Sequence, residues 1–277
     1  MSPPPESGPR PRLAAARAAR QNGEVTHSDL FDSTLPAGEP ELMRASAYHR
    51  YLEEMDAEAA DGAPSSRMSL LSPSVQADLM RFEQDGGSSE VLEVVAACVR
   101  HAKNLTIQLR CGDRVVPLTV FPQERLVHCP MELAELVDRH LPELRVMHIE
   151  PAVLRPPGDP DPSLVANDHQ HHPLAPMLWE LAMRGQRTSL LPEIGGPAIY
   201  RLSPGLEVDT LPAKGALLAA VLRLRREPTN LRDMARWPGL TRERAARLLN
   251  ALYLQSGLIV SRSHPDAVGE GWFRGRW

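Results

Sequence analysis

The chain has 277 residues, of which 42% are hydrophobic and 24% charged, and this is long enough for two modest domains. No apolar run approaches the roughly 18 residues that a membrane span requires, so we expect no membrane partner. The formal net charge of -4 argues against a uniformly basic nucleic-acid binder, but the charge is unevenly distributed: Leu211–Ser263 holds 10 basic and 3 acidic residues, whereas Thr26–Met80 holds 10 acidic and 3 basic ones.

The first 67 residues are predicted to be a largely disordered acidic and Pro-rich arm. Within it, a helix can form over residues 41–59, between two Gly- and Pro-containing breakers. Because acidic residues dominate 26–80 and basic residues dominate 211–263, we expect the arm to fold onto the basic segment and mask it.

Residues 68–151 are predicted to form a small α+β domain. Helical spacing of apolar residues, strand alternation and proline positions predict these elements in chain order: a helix over 73–82, a helix from Ser88 or Ser89 through Lys103, strands over 105–109, 115–121 and 125–129, a helix over 131–140, and a strand over 144–149. This order indicates a mainly antiparallel sheet.

The three cysteines, Cys98, Cys111 and Cys129, are odd in number and lack a metal-binding spacing. With no secretory signal, they favour a reducing cytoplasm and free, buried thiols. His128 and His140 lie near Cys129 and raise the alternative of a Cys–His pair, but no other residue supports a nucleophile there.

A Pro-rich linker over 152–173 separates this unit from the next. It ends in a His-rich stretch where Asp168, His169 and His172 offer ligands for zinc or nickel. No second ligand group follows at a recognisable spacing, so the residues favour a solvated loop, and we predict no metal site and no cofactor.

Residues 174–263 are predicted to form a mainly helical domain. The elements expected in it are a helix over 174–184, strands over 188–191 and 198–202, a helix over 216–226, a second helix capped by Thr229 or Asn230, a third helix capped by Thr241, and a strand over 258–261. Pro238-Gly239 separates the second and third helices. This order resembles winged-helix proteins over about 50 residues, although Leu258 to His264 leaves little room for a two-stranded wing.

The resemblance implies that the third helix enters the DNA major groove. The residues that would then contact base edges and phosphates are Arg242, Arg244, Arg247 and Asn250, all predicted to lie outside the helix core, and Arg232, Arg236 and Arg262 would hold the DNA backbone. The alternative is that the same arginines meet an acidic protein surface, because the basic charge extends to Arg223, Arg225 and Arg226 on the first helix.

The last residues, 264–277, form an aromatic and Arg-rich tail. Trp272, Phe273, Arg274 and Trp277 are residue types that dominate binding hot spots. They are predicted either to bind a partner protein as a short docking peptide or to pack on the C-terminal domain of the same chain.

No catalytic signature is present: Gly195-Gly196 lacks the context of a phosphate-binding loop, and no Gly-x-Ser-x-Gly elbow occurs. The sequence therefore predicts an α+β chain that acts as a non-enzymatic cytoplasmic adaptor or regulator, binding an acidic protein surface or a complex subunit. The alternative is a winged-helix DNA-binding transcription regulator.

Overall fold

A computed structural model describes residues 42–60, 72–84 and 91–263. These residues combine helices with antiparallel sheets, so the predicted α+β class is confirmed. Among the described helices, none has both the length and the apolar character needed to cross a bilayer.

The first half of the described chain contains four helices and four strands. In chain order they are α1 (Ala45–Ala60), α2 (Pro73–Gln84), α3 (Val91–His101), β1 (Leu105–Cys111), β2 (Arg114–Phe121), β3 (Leu126–His128), α4 (Leu133–Glu135) and β4 (Arg145–Pro151). The predicted strands and the helices over 73–82 and 88–103 are confirmed to within a few residues, although Ser88 and Ser89 lie outside the described residues.

Five strands form one sheet in the order β4-β1-β2-β3-β5, where β5 is His171–Pro173, and every neighbouring pair is antiparallel. Gly112 adopts a φ of 63° in the β1–β2 turn, a left-handed conformation that glycine adopts without steric cost. Ile107, Leu109, Val116 and Leu118 alternate onto one fully buried face of the sheet and join α3 in the hydrophobic core.

Helix α1 packs on the other face of this sheet, where Tyr48 and Ala45 meet Val115. The backbone N–H of Val115 also donates to the carbonyl of Met43 at 2.8 Å. This confirms the helix predicted over 41–59, while the rest of the arm predicted over 1–67 lies outside the described residues. Helix α1 lies against β2, and α2 lies against α3; the predicted masking of the basic segment by the arm stays a prediction.

The predicted helix over 131–140 is not a regular α-helix. It consists of α4, a π-helical turn over Leu136–His140 and a single 3-10 turn over Leu141–Glu143. Pro142 has no N–H to donate, so a regular series of α-helical hydrogen bonds cannot continue through it. Leu136 and Leu141 are nevertheless buried, so the irregular turns still place apolar side chains in the hydrophobic core.

The second half of the described chain contains α5 (Leu174–Arg184), β6 (Ile199–Leu202), α6 (Ala216–Arg226), α7 (Leu231–Met234), α8 (Arg242–Leu254) and β7 (Leu258–Ser261). The side chains of Asn230 and Thr241 accept from the backbone N–H groups of Asp233 and Arg244, which confirms both predicted caps. One hydrophobic core extends from Val75 to Leu254, so the units predicted at 68–151 and 174–263 share it; their status as separate domains stays a prediction.

The strand predicted over 188–191 is wrong. The segment between α5 and β6 is irregular because side chains, rather than a neighbouring strand, satisfy its backbone. Arg187 donates to the carbonyl of Leu190 at 2.8 Å, and Asn250 bonds to both Ser189 and Leu191.

Strand β7 pairs with β6, which precedes the helices α6, α7 and α8. We call the basic stretch 211–263, which contains these three helices, the basic module. Tyr200 of β6 also exchanges two backbone hydrogen bonds with Thr229, at the start of the second helix. Within the described part of the chain, the strand partner of β7 therefore comes from upstream and not from a hairpin after the third helix. The small two-stranded sheet of the described residues is therefore formed by β6 and β7.

Candidate functional site

The predicted site is centred on α8, the third helix of the basic module. Its inner face is as the sequence predicts: Ala245, Leu248, Leu249 and Leu252 are fully buried. The outer face divides into two parts that differ in exposure. Arg242 and Arg244 in the first turn are exposed, whereas Arg247 and Asn250 are covered.

Asn250 was predicted to lie outside the helix core, and this is wrong. It is 0% exposed, its Oδ1 accepts from the backbone N–H of Leu191 at 2.9 Å, and its Nδ2 donates to the carbonyl of Ser189 at 2.9 Å. The irregular segment after α5 lies over this part of α8 and needs a donor and an acceptor there. Asn250 supplies both, so its side chain is not available to an adenine edge.

Arg247 is also turned toward the protein, with 14% of its side chain exposed. Its Nη1 donates to the carbonyls of Gly185 at 2.6 Å and Met183 at 3.1 Å, at the C-terminal end of α5. Carbonyls at a helix C-terminus carry partial negative charge and lack intrahelical partners, so they bind a guanidinium well. Arg247 therefore joins α8 to α5.

The remaining predicted DNA contacts lie on the exposed surface: Arg232 and Arg236 on or just after α7, Arg242 and Arg244 on α8, and Arg262 after β7. Arg236 donates to Asp233 at 3.1 Å, and Arg262 donates to the carbonyl of Glu193 at 2.7 Å. Arg244 donates to the carbonyl of Gly239 at 3.1 Å and has no carboxylate partner among the residues that the structure describes.

The basic first helix, α6, is partly neutralised. Arg223 forms an ion pair with Glu227, and its guanidinium carbon lies 4.5 Å from the ring centroid of Trp237. A guanidinium at this distance interacts favourably with the indole face. Arg223 is thus engaged within the module, while Arg225 and Arg226 are exposed.

An open cleft of about 550 Å³ lies beside the first turns of α8. We call it the arginine cleft; its lining residues are Met183, Arg184, Leu217, Thr241, Glu243, Arg244 and Arg247. Its three arginines include Arg247, which forms an ion pair with Glu243, and two apolar side chains complete the wall. Arg184 donates to Asp138 at 3.0 Å and to Glu180 at 3.3 Å, which holds its guanidinium at the rim.

The contribution of α5 to this cleft is not visible in the sequence pattern. Met183 and Arg184 occupy the last turn of an amphipathic helix, where an exposed arginine is commonly explained by the helix dipole alone. Only the packing of α5 against α8 brings them beside Arg244.

The Cys–His alternative gains no support from the geometry. Cys98, Cys111 and Cys129 are free and buried, which confirms the predicted state of the thiols. Burial raises the pKa of Cys129 to about 11, whereas an activated nucleophile needs a lowered thiol pKa. His128 lies beside Gln170, with Nε2 and Oε1 3.2 Å apart, and burial lowers the pKa of His128.

The His-rich stretch forms a 3-10 turn over Asp168–Gln170 followed by β5. Asp168 and His169 are exposed and His172 is half-buried. Over residues 42–60, 72–84 and 91–263, no group of three or more His, Cys, Asp or Glu side chains is arranged to hold a metal ion. Trp272, Phe273, Arg274 and Trp277, the predicted docking tail, lie outside the described residues.

The chain was compared with protein-family models, with curated proteins and with solved structures, and it matches none of them.

Proposed function

We propose that this chain is a non-enzymatic cytoplasmic adaptor, and that the arginine cleft binds an acidic segment of a partner protein. The observation that carries the proposal is that the first turn of α8 is exposed whereas the middle of the helix is covered. Arg247 and Asn250, which a groove-reading helix would present to DNA, bond instead to the segment over 183–191. Arg184 and Arg244 remain at the rim of a concave surface with Met183 and Leu217.

The chemistry of this cleft suits carboxylates flanked by apolar side chains. A guanidinium binds a carboxylate through two parallel hydrogen bonds, and arginine is enriched at the centres of protein interfaces. Each exposed ion pair contributes only about 0.2–1 kcal/mol, so the apolar wall must supply much of the affinity. We therefore expect the partner segment to combine Asp or Glu with at least one large apolar residue.

Affinity capture with the full chain tests this proposal. The variants Arg244→Glu and Arg225→Glu change the charge equally, but only Arg244 lines the cleft, while Arg225 is exposed on α6. A partner that binds in the cleft should be captured by the unaltered chain and by Arg225→Glu, and lost with Arg244→Glu. The proposal fails if no saturable partner is captured, or if both variants lose the same proteins equally.

A winged-helix transcription regulator remains the second candidate, supported by the exposed arginines. Arg232 and Arg236 flank α7, and Arg242 and Arg244 lie in the first turn of α8. In helix-turn-helix proteins, the N-terminal residues of the recognition helix are the ones that contact base edges. Under this alternative, readout would have to come from Arg242 and Arg244, without Arg247 or Asn250.

The C-terminal tail stays a proposed second docking element. Its aromatic and arginine residues, Trp272, Phe273, Arg274 and Trp277, would contact the partner independently of the cleft. Removal of residues 264–277 should then weaken capture of the same partner without changing its dependence on Arg244. Unchanged capture after the truncation would count against a role for the tail.

A further inference from the structure

A row of polar side chains crosses the five-stranded sheet on register-paired positions. Thr106 on β1 pairs with Thr119 on β2, Thr119 pairs with His128 on β3, and His128 pairs with His171 on β5. The row is largely inaccessible: Thr119 is 1% exposed and His128 is 6% exposed. Buried polar groups of this kind require partners.

The two threonines satisfy each other, because their hydroxyl oxygens lie 3.0 Å apart. The two histidines do not. His128 Nδ1 and His171 Nε2 are both buried, and neither has a hydrogen-bond partner among the described residues. The ring centroids are only 5.2 Å apart, so two unsatisfied nitrogens belong to neighbouring imidazoles.

The other nitrogen of each ring identifies the unsatisfied atoms as lone pairs. His171 Nδ1 lies 3.1 Å from the carbonyl of Asn167, which only accepts, so Nδ1 carries the proton. His128 Nε2 faces the Oε1 of Gln170 at 3.2 Å and donates in the same way. In neutral imidazoles His128 Nδ1 and His171 Nε2 are then both acceptors, and they cannot satisfy each other.

This is the arrangement that metal-binding histidines adopt. A ligating imidazole donates its second ring N–H to a carbonyl or carboxylate, which fixes the tautomer and the ring orientation. Two imidazoles bound to a tetrahedral ion with metal–nitrogen distances of about 2.0–2.1 Å would have centroids roughly 5.2 Å apart. The observed separation of 5.2 Å is compatible with that geometry.

We infer that His128 and His171 form a two-imidazole site for a divalent transition-metal ion of the class of Zn²⁺. Imidazole nitrogens suit zinc, copper and nickel ions. The ion would connect β3 to the edge strand β5 and so hold the end of the 152–173 segment to the sheet. The ligands differ from Asp168, His169 and His172, the set that the sequence suggested.

Titration calorimetry with ZnCl₂, on the full chain dialysed against a chelator, tests the site. The unaltered chain is expected to bind a single Zn²⁺, and His128→Gln and His171→Gln are each expected to weaken binding roughly tenfold or more. His169→Gln is the matched control, because His169 lies in the same stretch but is exposed. It should bind as the unaltered chain does.

A variant of Gln170, which contacts His128 rather than the ion, tests the assignment of the ligands further. Gln170→Ala removes the acceptor that holds His128 in its tautomer, and we expect it to weaken Zn²⁺ binding roughly tenfold while leaving both ligands in place. The site is overturned if the chain binds no Zn²⁺. It is also overturned if His169→Gln abolishes binding while His128→Gln and His171→Gln leave it intact.

Histidine-ring NMR of the unaltered chain provides a readout that does not depend on variants folding. Long-range ¹H–¹⁵N spectra should show protonated Nε2 on His128 and protonated Nδ1 on His171 before metal is added. Addition of ZnCl₂ should then shift the opposite nitrogens, His128 Nδ1 and His171 Nε2. Resonances that stay unchanged at saturating ZnCl₂ would overturn the site.

Discussion

The first turn and the middle of the third helix, α8, carry polar side chains with different roles. Arg242 and Arg244 in its first turn are exposed, whereas Arg247 and Asn250 are bonded to the end of α5 and the segment that follows it. On a helical wheel all four belong to the polar outer face. A polar helix face that lies next to a second helix can therefore be an internal surface. Its polar groups then stabilise the fold instead of binding a ligand.

The exposed and the covered side chains of α8 contribute differently to the free energy of unfolding, because only the exposed ones can bond to water instead. An exposed arginine exchanges its hydrogen bonds with water at little net cost, and its removal changes stability by less than about 0.5 kcal/mol. A buried side chain that satisfies two backbone groups has no such substitute, because removing it leaves those groups without partners. The first turn of α8 can therefore change its contacts freely, and the later turns cannot.

The largest expected effect comes from Asn250→Ala. This change leaves the N–H of Leu191 and the carbonyl of Ser189 buried without their partner, and we expect a loss of about 2–4 kcal/mol in the free energy of unfolding. Urea denaturation followed by circular dichroism measures it. Arg244→Ala on the same helix is the matched control and should stay within about 0.5 kcal/mol of the unaltered chain.

Arg247→Ala should have an intermediate effect. It removes the charge-assisted bonds to the carbonyls of Gly185 and Met183, and we expect a loss of about 1–2 kcal/mol in the free energy of unfolding. Arg247→Lys should recover only part of this, because an ammonium cannot reproduce the planar geometry of the guanidinium. If Arg247→Ala lowers the free energy of unfolding no more than Arg244→Ala does, the structural role of Arg247 is contradicted.

Substitutions of the exposed arginines should have the smallest effects on the free energy of unfolding and the largest effects on DNA affinity. If the chain binds duplex DNA, Arg242→Ala and Arg244→Ala should weaken binding and each reduce the salt dependence by about one unit of the slope of log K against log salt. Fluorescence anisotropy at several salt concentrations measures both quantities. No duplex binding at low salt removes the DNA alternative and leaves the docking proposal.

Local features of the fold could be predicted from the sequence. The predicted bounds of α5 and α6 match the observed ones, and the caps Asn230 and Thr241 are confirmed. These features depend on apolar spacing and on hydrogen bonds between residues three positions apart, so the chain carries them within short windows. The strands of the first sheet were predictable for the same reason.

The site was less predictable because it depends on contacts between distant residues. Asn250 shares its helix face with Glu243 and Arg247, and nothing nearby in the chain indicates that Leu191, 59 positions away, covers it. The cleft likewise requires α5 and α8 to pack together. His128 meets His171 only through the register of β3 and β5, whereas sequence proximity suggested His169 and His172.

Amide hydrogen exchange at Leu191 tests most directly whether the middle of α8 is covered by the segment after α5. The N–H of Leu191 lies in an irregular segment and donates to the Oδ1 of Asn250, so the protection of this amide reports whether Asn250 is turned inward. We predict that it exchanges almost as slowly as the amides of the hydrophobic core, and that Asn250→Ala removes this protection. Exchange at the rate of an unprotected loop in the unaltered chain would contradict the inward position of Asn250 and return it to the surface available to DNA.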